Sequence, residues 1–443
     1  MKKTLNVIIF IALFIAGYFA VRAVFPKEVS RYPFFVVLLL VDLYLWASVK
    51  KKVFKQSWFF KYLITCLYWL PVALMIALMV TSFFKPIYFW DSGFRTYGVG
   101  LVFVAYTAKV FTVLFLFIAD IIRAFKHLYR YIIQKKRGTP EYAGKKISRS
   151  KFLVNMGYVT GGIAFSGLLI GMFKWVYQFK IHRVNLKVAK LPERFNGLKI
   201  VQISDLHLGS WASAEPLKEA VKMINDLRPD LVFFTGDLVN FATREAFRFE
   251  NELGQIQSKY GIYTILGNHD YGDYVNWESK SAKEKNMQQI YDLYERLGWR
   301  LLRNENEILD LDGDRMAIVG VENWSANSRF PRHGDLEKAL YNTSDVPVKI
   351  LLTHDPSHWE KVVRRKYADI NLTLSGHTHG FQFGIETENF KWSPAQYVYK
   401  QWAGLYRNSG QEQYIYVNRG TGFIGYPGRI GILPEITEIN LSS

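Results

Sequence analysis

The chain of 443 residues contains one cysteine, Cys66, which lies in an apolar stretch. A single cysteine excludes disulfide bonds within the chain and metal sites built from several thiolates. Acidic residues are also scarce at the N-terminal end, since residues 1–178 contain 5 acidic and 24 basic residues whereas residues 179–443 contain 33 and 32. The basic excess therefore belongs to the N-terminal part, and the nearly neutral remainder argues against nucleic-acid binding there.

The N-terminal part contains five apolar stretches close to the length, about 20 residues, that crosses a bilayer. No small-residue cleavage site follows the first stretch, so we interpret it as a retained helix and not as a cleaved signal peptide. The sequence predicts an α-helical membrane domain over residues 1–178 with about five transmembrane helices, at Leu5–Phe25, Pro33–Val49, Phe60–Phe83, Val99–Ile122 and Phe152–Tyr177.

The charge of the connecting segments predicts an orientation. Lys50–Ser57 and the loop 123–151 are strongly basic, whereas the other connections are nearly balanced. Because basic loops stay in the cytoplasm, we expect the chain from residue 180 onward to lie outside it, beyond a bacterial inner membrane. The orientation inverts if the short stretch Pro33–Val49 does not cross. The motif SRSKFL (Ser148–Leu153) resembles a degenerate twin-arginine export signal, and a basic flank of a membrane helix explains it equally well.

Two ionisable residues, Asp42 and Lys109, lie near the middle of the second and fourth apolar stretches. Charged groups at that depth are costly and are usually paired or functional. One acid and one base do not make a proton relay. We therefore predict a structural ion pair between these two helices.

From about residue 180 the pattern changes to short β-rich runs that alternate with amphipathic helices. This alternation predicts a layered α/β domain over residues 179–443 with a largely buried sheet. The predicted strands are residues 198–204, 230–236, 261–267, 315–321, 348–354, 369–375 and 414–420, and the predicted helices are Glu215–Leu227, Met287–Gly298 and His358–Lys366.

Polar side chains follow five of these strands where each strand ends, which is where open α/β sheets place their ligands. They are Asp205 and His207, Asp237, Asn268 with His269 and Asp270, His354, and His377 with His379. Carboxylates, imidazoles and an amide oxygen without thiolates suit divalent Mn, Fe, Zn or Mg. Seven strong donors exceed the needs of one ion, so we expect two ions that share a bridging carboxylate, an arrangement suited to phosphoryl displacement.

The series D-x-H, G-D, G-N-H-D, a lone H and G-H-x-H, in that order, resembles the calcineurin-like metallophosphoesterase family over roughly residues 195–443. The resemblance implies a four-layer α/β/β/α sandwich with a dinuclear metal centre. It also implies hydrolysis of a phosphoester or pyrophosphate bond by a hydroxide that bridges the two metals. The subgroup whose motifs look most similar contains many membrane-associated or exported phosphoesterases.

Carried over residue by residue, the resemblance assigns ligands to each metal. The first ion would be held by Asp205, His207, Asp237 and His379, and the second by Asp237, Asn268, His354 and His377. Asp237 would be the bridge. His269 resembles the histidine that contacts the phosphate and protonates the leaving group, and Asn268 would also contact the phosphoryl oxygen. Alternation along an extended backbone would turn His377 and His379 to one side and Thr378 to the other.

The chain departs from the family pattern at two positions. Many relatives carry an acid where this chain has Asn240, so we expect Asp270 to replace that acid beside His269. The subgroup often continues G-H-T-H-G-G-Q, whereas Phe381 here replaces the second glycine and is expected to narrow the pocket. The aromatic stretch Phe390–Tyr406 is explained equally well by contact with lipid and by packing at the sheet edge.

These observations favour a membrane-anchored phosphoesterase whose substrate carries a phosphomonoester, phosphodiester or pyrophosphate, with a lipid-linked phosphate as the natural candidate. An alternative is an enzyme similar to UDP-2,3-diacylglucosamine pyrophosphatase of lipid A synthesis. An alternative from another class is a membrane sensor or scaffold with an inactive esterase domain. That alternative predicts lost ligands, and all seven ligand positions and His269 are intact.

Overall fold

The computed structural model describes residues 2–24, 26, 29–134 and 149–443. The chain forms two compact units, one of Met1–Phe83 with Leu101–Gly167 and one of Phe84–Gly100 with Leu168–Ser443. We call them the helical unit and the α/β unit. The domain boundary predicted between residues 178 and 179 stays a prediction.

Five long helices occupy the N-terminal part, namely α1 (Lys2–Val24), α2 (Tyr32–Val53), α3 (Trp58–Phe84), α4 (Ser92–Gln134) and α5 (Arg149–Phe173). Four segments among the described residues are long and apolar enough to cross a membrane, at Val29–Val53, Trp58–Ser82, Ser92–Tyr129 and Lys151–Tyr177. The apolar part of α1, Ile11–Val24, is shorter. Four of the five predicted spans are therefore confirmed as candidates, and the span Leu5–Phe25 stays a prediction. Residues 135–148 of the basic loop, with Ser148 of SRSKFL, lie outside the described residues.

The predicted ion pair between Asp42 and Lys109 is present in the helical unit. Asp42 is fully buried, and its Oδ1 lies 2.5 Å from Lys109 Nζ. Tyr106 donates a hydrogen bond to the other carboxylate oxygen at 2.7 Å, and Lys109 also donates to the carbonyl of Tyr68 at 3.1 Å. The pair thus joins α2 to α4 and reaches α3, and each charge is compensated where water is excluded.

Loss of one partner should destabilise the helical unit. In Asp42→Ala the ammonium of Lys109 stays buried without a counterion, and we expect a loss of roughly 3–5 kcal/mol in unfolding free energy. Thermal unfolding of the purified chain in detergent measures this change. The double replacement Asp42→Leu with Lys109→Met should recover most of the loss, because apolar residues of similar volume replace a buried pair well. An Asp42→Ala protein that unfolds at the wild-type temperature would contradict the structural role.

The α/β unit contains fourteen strands and several helices among its described residues. The strands are β1 (Lys180–Lys187), β2 (Lys199–Ile203), β3 (Leu231–Phe234), β4 (Ile262–Thr264), β5 (Arg300–Leu301), β6 (Glu305–Leu311), β7 (Asp314–Gly320), β8 (Val348–Leu352), β9 (Leu372–Ser375), β10 (Ile385–Glu386), β11 (Lys391–Trp392), β12 (Gly404–Arg407), β13 (Tyr414–Val417) and β14 (Glu435–Ser442). The helices are α6 (Glu215–Asp226), α7 (Glu250–Leu253), α8 (Lys280–Arg296), α9 (Leu336–Ala339) and α10 (Arg364–Lys366), the last preceded by a π-helical turn at Trp359–Val363.

One predicted helix begins earlier than its apolar pattern indicated. The sequence predicted Met287–Gly298, whereas α8 begins at Lys280. The hydroxyl of Ser279 accepts a hydrogen bond from the backbone amide of Ala282, so Ser279 caps the helix. The first two turns are mostly polar, which hides them from a search for apolar periodicity.

The strands form two six-stranded mixed sheets, with the orders β1-β14-β2-β3-β4-β5 and β12-β13-β9-β8-β7-β6. Strands β2 to β5 run parallel, as do β7, β8, β9 and β13. Apolar side chains of both sheets meet in one buried cluster that includes Ile200, Phe233, Ile318, Ile350 and Leu374.

Helices cover the outer faces of the two sheets. Leu217 of α6 and Ile290 of α8 pack with residues of the first sheet, such as Val232. Leu336 of α9 and Trp359 of the π-helical turn pack with residues of the second sheet. The order helix, sheet, sheet, helix confirms the predicted four-layer α/β/β/α sandwich.

Candidate metal centre

The predicted ligands all lie in loops that follow parallel strands. Asp205 and His207 follow β2, Asp237 follows β3, Asn268 to Asp270 follow β4, His354 follows β8, and His377 and His379 follow β9. Parallel strands present their carboxyl ends at the same edge. The fold therefore brings residues that are up to 174 positions apart, His379 and Asp205, into ion-pair distance of 3.2 Å.

The backbone of these loops is strained. Five of the seven predicted ligands have a positive φ between 46° and 71°, a conformation that favours glycine: Asp205, His207, Asp237, His377 and His379. Such strain concentrates at functional sites, where the surrounding structure must enforce it. The extended backbone expected at His377–His379 is wrong, because Thr378 between them is helical with φ −77° and ψ −25°.

The side chains converge in two buried groups. Asp205, His207 and His379 form the first group, with ligand atoms that all lie within 4.8 Å of one another. The Nε2 atoms of His207 and His379 are 3.1 Å apart. Asp237, His354 and His377 form the second group, and their ligand atoms also lie within 4.8 Å of one another. Imidazole nitrogens and carboxylate oxygens at such separations can surround one divalent ion in each group.

Asp237 lies between the two groups. Its Oδ2 atom is 3.5 Å from Nε2 of His207 and 3.1 Å from Nε2 of His354. Its Oδ1 atom accepts a hydrogen bond from the backbone amide of His269 at 2.8 Å. One carboxylate oxygen thus faces a ligand of each group, which is the position required of a shared carboxylate.

Asn268 lines the same cavity as Asp237 and His377 of the second group. Its side-chain nitrogen donates to the hydroxyl of Tyr274 at 2.9 Å, which leaves the amide oxygen to face the site. Among the described residues that oxygen is buried without a hydrogen-bond partner. Buried polar atoms are nearly always satisfied, so an unsatisfied oxygen beside a carboxylate and imidazoles fits a divalent ion.

Hydrogen bonds behind the ligands hold two of the imidazole rings. Nδ1 of His354 lies 2.7 Å from the carbonyl oxygen of Thr235, which only accepts, so Nε2 is the nitrogen presented to Asp237. Nε2 of His377 lies 2.9 Å from the hydroxyl of Tyr399, which leaves Nδ1 to face His354. Such outer partners fix ring orientation at metal sites.

The pKa values of Asp237 and His354 reflect the burial of both side chains and the closeness of their opposite charges. Burial alone would raise the pKa of Asp237, but the His354 and His269 side chains outweigh burial and hold that pKa well below its usual range. Burial would lower the pKa of His354, but the Asp237 carboxylate raises it to about 10. Burial lowers the pKa of His207. The shared carboxylate is therefore ionised, and an imidazole must release its proton when a cation binds it.

His269 lies beside the first group of predicted ligands, and its ring contacts that of His207. Its ring centroid is 4.9 Å from that of His207 and 4.4 Å from that of Tyr274. Its Nδ1 atom is 2.7 Å from the carbonyl oxygen of Asn240. Because a carbonyl only accepts, Nδ1 carries the hydrogen and Nε2 is left for a substrate. A backbone carbonyl, and no carboxylate, therefore accepts the hydrogen bond of the His269 ring at Nδ1.

Asp270 connects two ligand loops. Its carboxylate accepts hydrogen bonds from the backbone amides of Asp237, Leu238 and Gly267 at 2.8–2.9 Å. Burial raises the pKa of Asp270 to about 7, and the charge of Asp237 adds to the shift. Its oxygens are thus engaged by backbone, and a direct role for Asp270 beside His269 stays a prediction.

A buried ion pair supports the loop that carries Asn240. Glu245 accepts hydrogen bonds from the backbone amides of Asn240 at 2.7 Å and Phe241 at 3.0 Å. Arg95, near the start of α4, donates to the other Glu245 oxygen at 3.0 Å and to the carbonyl of Gly209 at 2.5 Å. Sequence reasoning missed Glu245, Arg95, Tyr274 and Tyr399, because none of them belongs to a motif.

Phe381 occupies the mouth of the site. A cavity of about 320 Å³ lies over the two groups and is lined by Phe381, Tyr399, Ile424 and Tyr426. Phe381 has φ 52°, a conformation that costs a residue other than glycine roughly 1–2 kcal/mol, and its side chain is 48% exposed. The glycine of the family pattern would adopt this backbone without strain, whereas this chain places an exposed aromatic ring there.

Removal of Glu245 should loosen the loop that orients His269. In Glu245→Ala the guanidinium of Arg95 stays buried without its counterion, so we expect a loss of about 3–5 kcal/mol in stability. The matched control is Glu215→Ala, which breaks an exposed pair with Lys218 and should leave the unfolding temperature close to that of the wild type, because water screens the pair. Thermal unfolding in detergent compares the two. Equal unfolding temperatures for both variants would show that the buried pair does not support the loop.

Both parts of the chain are similar to known protein families. Residues 22–175 match the family model described as "Probable Calcineurin-like phosphoesterase, transmembrane domain", and residues 198–381 match "Calcineurin-like phosphoesterase". A "Transmembrane protein with metallophosphoesterase domain" of Danio rerio is 35% identical over 271 residues, which are 59% of this chain and 57% of that protein. The chain thus spans little more than half the length of this relative.

Two bacterial relatives are similar over most of their own length. The "Uncharacterized metallophosphoesterase YkuE" of Bacillus subtilis is 31% identical over 308 residues, which are 68% of this chain and 99% of that protein. The "UDP-2,3-diacylglucosamine pyrophosphatase LpxG" of Chlamydia muridarum is 25% identical over 289 residues, which are 55% of this chain and 83% of that protein. With its N-terminal transmembrane region and its two converging ligand groups, the chain belongs to the calcineurin-like metallophosphoesterases.

Proposed function

We propose that this chain is a membrane-anchored phosphoesterase that depends on two divalent metal ions. The observation that carries the proposal is the position of Asp237, whose Oδ2 atom faces His207 of one buried group and His354 of the other. Asp205, His207 and His379 would hold the first ion, and Asn268, His354 and His377 the second. Asp237 would bind both ions, and the ions belong to the Mn, Fe, Zn or Mg class.

The chain's own residues would direct the reaction. Bound ions would supply the activation of water and neutralise charge on the phosphoryl oxygens. A water that has released one proton to solvent would attack, and as its oxygen bonds to phosphorus the bond from phosphorus to the leaving oxygen would break. The leaving oxygen would take the Nε2 proton of a doubly protonated His269 ring, which keeps its Nδ1 hydrogen on the carbonyl of Asn240. The carbonyl of Asn240 holds Nδ1 and so directs Nε2 to this task. Asn268 would contact the phosphoryl group.

The contacts of the α3–α4 connection support the predicted orientation. Arg244 donates to the carbonyl of Tyr88 at 2.7 Å, so this connection belongs with the α/β unit. Two candidate spans, those in α4 and α5, separate residue 84 from residue 178. An even number of crossings returns the chain to the same side, as this contact requires. We infer that this side is extracytoplasmic, because the basic segments flank the opposite ends of these helices.

The likeness to a lipid pyrophosphatase makes lipid-linked phosphate a natural substrate class. The similarity to the Chlamydia muridarum enzyme supports a pyrophosphatase of this kind as a second candidate function. An extracytoplasmic site would not reach a nucleotide-linked lipid made in the cytoplasm, so the broader phosphoesterase is the function we propose. Six of the seven predicted ligands converge in the two groups, which an inactive sensor would not require.

A hydrolysis assay with metal analysis tests the proposal. The purified full chain with Mn²⁺ is assayed against p-nitrophenyl phosphate, bis(p-nitrophenyl) phosphate and an alkyl phosphate. Asp237→Asn should lose bound metal and activity together. His269→Ala should retain metal and lose about 10²–10⁴-fold in turnover, most of all with the alkyl phosphate, whose leaving oxygen needs the proton.

A histidine outside the site provides the control. His127 is exposed on α4, and His127→Ala should behave as wild type. A wild-type chain that binds two ions and hydrolyses no substrate in the panel would overturn the enzymatic assignment. An equal loss of activity in His269→Ala for good and poor leaving groups would remove the proton-donor role from His269.

A further inference from the structure

The α/β unit carries an exposed apolar surface beside the mouth of the metal site. We call residues 381–398 the apolar hairpin, since they include the paired strands β10 and β11. Six large apolar side chains of this segment are 46–77% exposed: Phe381, Phe383, Ile385, Phe390, Tyr397 and Val398. Exposed apolar patches on folded domains mark sites of interaction with a protein, a membrane or a ligand.

The apolar hairpin is attached directly to the loop that forms one wall of the cavity. The backbone amide of Ile430 donates to the carbonyl of Gln382 at 2.8 Å, and the amide of Gly384 donates to the carbonyl of Ile430 at 2.9 Å. The Gln382 side chain donates to the carbonyl of Gly428 at 2.9 Å. The loop 424–430 and the apolar hairpin are therefore joined by hydrogen bonds into one layer.

The same loop rests on residues of two membrane-crossing segments. The amide of Arg429 donates to the carbonyl of Gly171 in α5 at 3.2 Å, and the Tyr426 hydroxyl donates to the carbonyl of Leu168. Pro427 packs against Gly100 of α4. A Cβ atom at Gly171 would lie 2.7 Å from the Arg429 carbonyl oxygen, so glycine is required for this approach. All these residues belong to the α/β unit.

The loop 424–430 thus lies between the apolar hairpin and the C-terminal end of α5, and it is hydrogen-bonded to both. We propose that the apolar hairpin docks on the surface of the bilayer that α4 and α5 cross. The mouth of the metal site then lies at headgroup level and receives the phosphate of a membrane amphiphile whose apolar chains stay in the bilayer. The substrate part of this inference rests on the proposed function, whereas the docking part does not.

Two features of the apolar hairpin and one of the neighbouring loop 424–430 match a bilayer surface. It carries Trp392 and Tyr397, and tryptophan and tyrosine favour the interface between lipid and water. Phe381 has a strained backbone and presents its ring at the cavity mouth. A glycine at this position would have neither the strain nor the ring. Ile424 and Tyr426 continue the apolar rim on the other wall of the cavity. An apolar substrate chain would leave water along this rim.

The depth of the apolar hairpin can be measured without any assay of activity. The full chain with Cys66→Ala receives a nitroxide at Phe383→Cys and is placed in lipid nanodiscs. The control label is at Tyr341→Cys, which is 72% exposed and contacts Asn306 of the edge strand β6. We expect relaxation of the label at 383 by oxygen to exceed that by an aqueous nickel chelate, and the reverse at 341. Equal access of the chelate to both labels would overturn the docking proposal.

A second measurement tests the substrate class. The full chain is reconstituted in vesicles that contain phosphatidic acid, and Phe383→Glu and Val398→Glu are compared with Tyr341→Glu on that lipid and on bis(p-nitrophenyl) phosphate in solution. The hairpin variants should lose about tenfold or more with the vesicle substrate and retain the soluble activity. Loss of both activities in parallel, or of neither, would overturn the delivery of a membrane substrate. A wild type that hydrolyses neither substrate but shows the lipid-exposed label would refute the proposed function and leave the docking intact.

Discussion

The structure of the site depends on a buried carboxylate, that of Asp237, placed among imidazole rings. An anion without water is unstable unless positive charge and hydrogen-bond donors surround it. Here the donors are loop amides and the positive charge comes from His354 or from a metal that replaces its proton. Several features bring these donors and rings around the Asp237 carboxylate. They are the strained backbone of the loops, the hydrogen bonds of Asp270 to two loops, and the hydrogen bonds that hold the imidazole rings on the side away from Asp237.

Much of the site could be predicted because its ligands are side chains at the ends of apolar strands. Asp205, Asp237 and His354 each follow a short buried run, and strand ends of a parallel sheet meet at one edge. The carbonyl of Asn240 could not be predicted, since every residue has a carbonyl and only the fold selects one. The left-handed backbone at His377 was likewise hidden, because histidine carries no preference for that conformation comparable to glycine's.

The fold was predictable to the extent that local patterns determined it. Membrane-crossing helices follow from length and hydropathy, and the pairing of Asp42 with Lys109 follows from the cost of charge in lipid. The starting point of α8 depends on the cap at Ser279 and not on apolar periodicity. Edge strands such as β1 depend on pairing with β14, more than 240 residues away in sequence, and no local signal marks that partner.

The contact between Arg95 and Glu245 has a consequence for how the chain divides. Thr96 also donates to the carbonyl of Ser210 at 2.9 Å, so the first turn of α4 is packed among the loops that hold the metal ligands. A protein cut after the last membrane helix would lack this turn and would expose a buried carboxylate. Part of the interior of the α/β unit is therefore supplied by the first turn of α4, far from the strands in sequence.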